Sequence, residues 1–271
     1  MICGSLDYTR QGYRKHEKRL LEKRLNEVEI LKEVKQIKCI MPKIGARKMK
    51  TMLSEKSLHI GRDHLFQLLS VNGLLVKKKN RKKYLSSSIN INKSYNNLLK
   101  NLVINRVDQV WVCDITYIRL LNKFCYLYLV TDYYSRKIVG YCVSDNLKAK
   151  NCLVALKMAL KGAKNTKEII HHSDHGVQYI SHDYTEYLIN KGFKISYTGE
   201  NHCYDNAVAE RVNNTLKHEF GLANVFKSIG IFKEACIDSI NIYNNYRPHN
   251  ALNSNVPENV YNSNIVDNLC S

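Results

Sequence analysis

The sequence predicts an α/β protein in which a mixed sheet is wrapped by helices and preceded by an all-α, strongly basic region. Three observations predict it. From residue 109 onward, strand-like and helix-like runs follow in the order β-β-β-α-β-α-β-α. Residues 12–73 instead place apolar side chains at the three- and four-residue spacing of helices. Charge is also segregated. Residues 1–100 hold 24 Lys and Arg against 8 Asp and Glu, a net +16, whereas residues 101–271 hold 18 against 16, a net +2. A basic half beside a near-neutral half points to a polyanion-binding module joined to a second domain.

Residues 12–40 read as one long charged helix, with Leu20, Leu21, Val28, Leu31, Val34 and Ile37 on its apolar stripe. Met41-Pro42 breaks it. Residues 44–54 and 61–72 form two short amphipathic helices around the Leu58-His-Ile60 turn, and Asn72-Gly73 supplies a C-cap. In the second of these, Leu65, Leu68 and Leu69 make the buried face, and Arg62, His64 and Gln67 point elsewhere. This is the pattern of a helix-turn-helix at about 44–73, with the second helix as reader of a DNA major groove; a plain helical hairpin is the alternative. Lys77, Lys78, Lys79, Arg81, Lys82 and Lys83 put six positive charges into seven residues. Such a run stays extended unless phosphates neutralise it, or serves as a solvated linker. The helical DNA-binding region is thus expected over 1–85, and a Ser- and Asn-rich linker over 86–104.

The second domain is expected over 105–262. Strands fall at 109–120, 124–132 and 137–144, with turns at Asn122-Lys123 and Tyr134-Ser-Arg136. A helix at 148–162 follows, then strand 168–173, helix 181–191, strand 193–198, a helix opened by Asp205-Asn206 and a helix at 230–245. The remainder reads as a loosely structured stretch, with the domain and its C-terminal helices ending at 262 and a tail over 263–271. Nine cysteines without a Cys-x-x-Cys pair argue against a disulfide framework and a tetrahedral zinc site, and fit a reducing cytoplasm. No apolar run approaches the ~20 residues of a membrane span, and the charged first 30 residues do not read as a signal peptide.

Three acids stand out. Asp114 lies inside the strand Val110-Trp-Val-Cys-Asp-Ile-Thr-Tyr-Ile118, Asp174 ends the run Ile169-Ile-His-His-Ser-Asp174, and Glu210 sits on a helix. A charge in an apolar strand is costly unless it is paired or holds a metal. Three carboxylates delivered by two strands and a helix suit hard divalent cations and phosphodiester chemistry. Asp132 reads better as a turn or capping residue, and Asp205 as an N-cap. Among His171, His172 and His175, a structural role suits His171 best. If 205–220 is helical, Glu210, Asn213, Asn214 and Lys217 share one face, so the acidic face continues into a stripe that a bound DNA strand must pass.

The blocks Trp111-Val-Cys-Asp114-Ile-Thr-Tyr117, His172-Ser-Asp174-His-Gly176-Val-Gln178-Tyr179 and Asp205-Asn206-Ala-Val-Ala-Glu210 resemble signature blocks of insertion-sequence transposases. These are the OrfB-type enzymes of the IS-three group, which carry a retroviral-integrase-like DDE core. Tyr243-Asn-Asn-Tyr246-Arg247-Pro248-His249-Asn250-Ala-Leu252 is similar to that family's C-terminal block, and Ile44-Gly45-Ala-Arg47-Lys48 through Asn72-Gly73-Leu74 to its helix-turn-helix region. The resemblance covers roughly residues 12–262. It implies a ribonuclease H-like core with a five-stranded mixed sheet. It also implies two Mg2+ ions, replaceable by Mn2+, with Asp114 bridging them, Asp174 on one and Glu210 on the other. Arg47, Lys48, Arg62, His64, Gln67, the basic run at 77–83, Asn214 and Lys217 become candidate DNA contacts. The implied reaction is cleavage at terminal inverted repeats followed by strand transfer. It would be carried out in the bacterial cytoplasm, on the nucleoid, by a homo-oligomer on paired ends, with an upstream OrfA product as fusion or partner. A ribonuclease of the same fold would carry its second acid on the first helix after the three strands, and 148–162 contains no Asp or Glu. A repressor derived from a transposase would have a damaged triad, and this triad is intact.

Overall fold

The computed structural model describes residues 9–76, 95–163, 166, 168–199 and 206–267, and the chain divides into two compact units, 1–79 and 80–271. The first unit holds α1 (Arg10–Ile40), α2 (Ala46–Glu55) and α3 (Arg62–Val71). Thr9 caps α1, its hydroxyl accepting from the Gly12 amide at 3.0 Å. The helix stops at Met41, just before Pro42. Gly73 follows α3 in the left-handed conformation (φ +64), as a C-terminal cap requires.

The core of this unit uses Ile30, Val34 and Ile37 from α1, Met49 and Leu53 from α2, and Leu65 and Leu69 from α3. Leu20, Leu21 and Val28, expected on the same buried stripe, are exposed (41, 59 and 66%). The reason is length. Ten-residue helices reach about 15 Å, whereas the 31 residues of α1 reach about 46 Å. The α2–α3 hairpin covers only the last turns of α1.

The second unit is built on a five-stranded sheet: β1 (Val110–Arg119), β2 (Phe124–Asp132), β3 (Ile138–Ser144), β4 (Ile170–Ser173) and β5 (Lys194–Tyr197), in spatial order β3-β2-β1-β4-β5. β1, β2 and β3 pair antiparallel; β4 and β5 run parallel to β1. The parallel partners need crossover helices, which α4 (Ala149–Leu160) and α5 (His182–Asn190) supply. β3 approaches α4 so closely at Gly140 that a β-carbon there would sit 2.2 Å from the Ala155 carbonyl oxygen.

Alternation along β1 divides the core in two. Trp111 and Cys113 join the larger cluster with Tyr128, Leu156 and Tyr184. Val110 and Val112 join the opposite one with Ile170 and Ala209, the latter from α6 (Ala207–Glu219). Asp114 continues this second face.

After α7 (Ile229–Asn245), Arg247 is 4% exposed and grips Glu219 at the end of α6, Nε to Oε2 at 2.7 Å and Nη2 to Oε1 at 2.9 Å. The segment beyond is not the loose tail expected from its Asn- and Ser-rich composition. It forms α8 (Pro257–Asp267), which opens with proline at its first position and Glu258 in its first turn. Tyr261 anchors it, its buried hydroxyl donating to Asp108 at 2.9 Å.

Candidate active site

Asp114 lies in the middle of β1 on the α6 face, partly exposed between buried Val112 and Thr116. β1 and β4 run parallel with Val112 opposite His172. Carried on by two residues, that register sets Asp174 level with Asp114, just past the end of β4. Neighbouring strands lie ~4.8 Å apart. Glu210 is exposed in the first turn of α6, which packs on β1.

Two asparagines fix α6 over the strand. Asn206 donates to the Cys113 carbonyl at 3.0 Å, and Asn213 donates to Asp114 Oδ2 at 2.6 Å. The other Asp114 oxygen accepts from the Ile115 amide at 2.9 Å. Asp174 Oδ1 accepts from the Gly176 amide at 3.0 Å.

Burial pushes the Asp114 carboxyl up to about 7, and the nearby Asp174 charge pushes the same way. The bonds from Asn213 and Ile115 oppose this, and Glu210 adds a smaller upward push. Glu210 is raised in turn by burial and by Asp174. Asp114 and Glu210 therefore both lie within electrostatic range of Asp174. Among the described residues none of them forms an ion pair with a lysine or arginine. As placed, no three His, Cys, Asp or Glu side chains among the described residues close around a single ion point. The donors are nonetheless all hard carboxylate oxygens, two of them at an open rim, and that set fits a divalent oxygen-seeking cation.

Lys217, two turns along α6 from Glu210, is half-buried. Burial lowers its ammonium pKa, and the charge of Asp114 partly restores it. Asn214 is exposed. Asp132 has no share in this site: its Oδ1 accepts from the Ser135 amide (2.7 Å) and hydroxyl (2.6 Å), and its Oδ2 from the Asp108 amide (2.9 Å). His171 is buried against Tyr184, Nε2 to hydroxyl 2.8 Å, and burial lowers its pKa to about 3. His172 Nδ1 meets Ser196 Oγ at 2.9 Å, and His175 packs on the Tyr197 ring. Asn213 is the residue that sequence reasoning underused. It shares the Glu210 face three residues on, but its bond to Asp114 depends on how α6 lies over β1.

In the first unit, Arg47 and Gln67 are exposed and Lys48 is half-buried. Arg62 is exposed and pairs with its neighbour Asp63 at 2.8 Å. His64 turns toward α1, its Nε2 2.8 Å from Glu27. Phe66, which sequence reasoning passed over, is 43% exposed on α3 and shares a shallow cleft with Arg47 and Arg62. Asp205 and the basic run at 77–83 lie outside the described residues.

Residues 104–203 match one integrase core domain family and residues 191–257 match another. The 31 kDa protein of insertion element IS600 from Shigella sonnei is 32% identical over 214 residues, 77% of this chain and 77% of that protein. The transposase of insertion sequence element IS629, also from Shigella sonnei, is 30% identical over 203 residues, 75% of this chain and 68% of its own. Transposase InsF of insertion sequence IS3A from Escherichia coli K12 is 34% identical over 157 residues, 58% of this chain and 54% of its own. Among solved structures, the catalytic core of BIV integrase aligns with a TM-score of 0.47 at 14% identity, over 60% of this chain and 99% of that one. The HTLV-2 integrase core, a complex with magnesium, aligns with a TM-score of 0.45 at 14% identity, over 57% of this chain and 96% of that one.

The sheet order, with α6 packed on β1, is that of a ribonuclease H-like core, and the integrase core domain match makes the chain a polynucleotidyl transferase-type enzyme. The chain belongs to the IS3-type transposase family, and its function is DNA transposition.

Proposed function

We propose that Asp114, Asp174 and Glu210 are the catalytic carboxylates, that they hold two Mg2+ ions (Mn2+ substituting), and that the enzyme cuts and rejoins DNA at the terminal inverted repeats of its element. One observation carries this reading: Asp114 and Glu210 both hold their protons more tightly because of burial and the charge of Asp174, and none of the three acids has a basic ion-pair partner among the described residues. A cation among the three relieves their mutual repulsion and the cost of burying Asp114.

The side chains divide the work. Asn213 and the Ile115 amide hold the Asp114 carboxylate in place, within electrostatic range of both other acids. The Gly176 amide holds Asp174. Two metal ions held by Asp114, Asp174 and Glu210 would activate a water or 3′-hydroxyl and stabilise the leaving oxygen. Lys217, on the Glu210 face, meets the phosphate of the strand end, and Asn214 lines the same path.

Residues 1–85 bind the ends. The exposed face of α3, with Arg62 and Gln67, enters the major groove, while Arg47, Lys48 and the 77–83 run neutralise phosphates. His64, paired with Glu27, holds α3 to α1 rather than reading bases. Homo-oligomers assemble on paired ends, joined by an upstream OrfA product.

The test is metal-dependent nicking and joining of a terminal-repeat oligonucleotide. Asp174→Asn should abolish both and leave DNA binding intact. Retained cleavage overturns the assignment.

A further inference from the structure

A cleft of about 360 Å³ opens in the second unit, between the β2–β3 turn and the segment that follows α7. The chemistry proposed above does not use it. Tyr133, Tyr134 and Arg136 line one side, and Leu252, Asn253 and Asn255 the other. The turn is held firmly. Ser135 donates twice to the Asp132 carboxylate, the Arg136 amide donates to the Asp132 carbonyl at 2.9 Å, and the Tyr243 hydroxyl donates to the Arg136 carbonyl at 3.1 Å. Arg136 is kept left-handed (φ +63), an unfavourable backbone for a residue with a β-carbon.

The Arg136 guanidinium sits over the Tyr133 ring, 4.6 Å from its centroid. Its Nη1 is enclosed without an acceptor and closed to solvent, so a ligand would meet the cleft-lining part of this half-buried side chain; among the described residues no carboxylate pairs with the guanidinium. An arginine fixed beside a cleft with its charge uncompensated is arranged for an anion that comes from outside the fold. The rest of the lining narrows the choice. Two tyrosine rings and two asparagine amides beside a guanidinium form a nucleotide-recognition set: phosphate on the arginine, base against a ring, amides at the base edge.

The position fits as well. Ile104 and Tyr133 pack on the layer of Val110, Val112 and Ala209, which is the face Asp114 shares with α6. Asp132, which opens the turn, pairs with Trp111. Trp111 precedes Asp114 by three residues, about 10 Å of strand. The cleft therefore lies on the face of the candidate active site, within reach of the same DNA molecule.

We propose that this cleft binds one unpaired nucleotide of a DNA strand, its phosphate on Arg136 and its base against Tyr133 or Tyr134. The proposal rests on the reading of this core as acting on DNA. The test uses the full chain and a short single strand carrying 5-iododeoxyuridine, photocrosslinked and mapped by mass spectrometry. Four proteins are compared: wild type, Arg136→Gln, Asn253→Asp and Asp114→Asn. Asn253→Asp adds a carboxylate at a left-handed position that Asp tolerates and leaves Arg136 in place, so a folding defect in Arg136→Gln cannot hide the answer.

Crosslinks should map to Tyr133 or Tyr134 in wild type and in Asp114→Asn, and fall about tenfold in both cleft variants, the scale of one charge-assisted phosphate contact. Crosslinks that avoid these tyrosines, or that keep their yield in both cleft variants, overturn the proposal. Loss of self-association in the cleft variants with crosslinking unchanged assigns the cleft to a second copy and also overturns it. Failure of the three-acid reading is separate: it appears as retained cleavage in Asp114→Asn, whatever the crosslinks do.

Discussion

Asp114 and Asp132 sit on paired strands, and burial pushes both carboxyls up, to about 7 and about 6. Their surroundings differ. Asp132 is fully buried and receives three donors, all from the β2–β3 turn and Asp108, and that corner continues through Asp108 to Trp111 and Tyr261. Asp114 is partly open, receives two donors, and looks at two more carboxylates. The first acid is absorbed by the fold, because its lone pairs are matched by protein donors. The second is held in place by the fold while its charge is left for something outside it. Burial and a raised pKa are common to both, so neither marks a functional acid here; the partners do.

Substitutions should separate the two. Asp132→Ala strands three donors in the core and should cost about 2–4 kcal/mol in chemical denaturation. Asp114→Ala should cost far less stability and should abolish strand cleavage. Similar losses for the two would erase the distinction.

Removing divalent metal sharpens the comparison. Both carboxyls hold their protons more tightly in the folded than in the unfolded chain. Their stabilising effect is complete below the ordinary carboxylate range and is lost as pH rises through about 6 to 7. Asp114→Asn removes one of these two penalties. In chelator, it should gain about 1–2 kcal/mol on wild type between pH 5 and pH 8, discounted for solvent at the rim. A difference that stays flat with pH contradicts this.

The smallest effect concerns Lys217. Lys217→Ala should weaken productive engagement of a terminal-repeat oligonucleotide by about 1 kcal/mol, and Lys217→Glu by more. Wild-type cleavage and joining rates for both at low and moderate salt would leave Lys217 as a surface residue.

Much of this was legible in the chain because it depends on local pattern. Apolar alternation around Asp114 marks β1, and Asn72-Gly73 marks the end of α3. What depends on distant partners was not legible. Leu20, Leu21 and Val28 have helical spacing, but whether they are covered depends on the reach of α2 and α3. The residues of α8 look like a tail until Tyr261 meets Asp108, 153 positions earlier. The Asn213 bond to Asp114 crosses 99 positions, and Tyr243 braces the Arg136 turn across 107. Such contacts come from tertiary register and leave no periodic trace.

The most direct test of the central claim is the unfolding temperature of the protein at pH 8, titrated with Mg2+ or Mn2+. A site built by Asp114, Asp174 and Glu210 predicts that wild type is stabilised progressively with metal concentration, as binding to the folded state alone requires. Asp114→Asn should start higher in chelator and respond weakly or not at all. An unresponsive wild type, or an equal response from Asp114→Asn, would contradict the assignment of these carboxylates as the metal site.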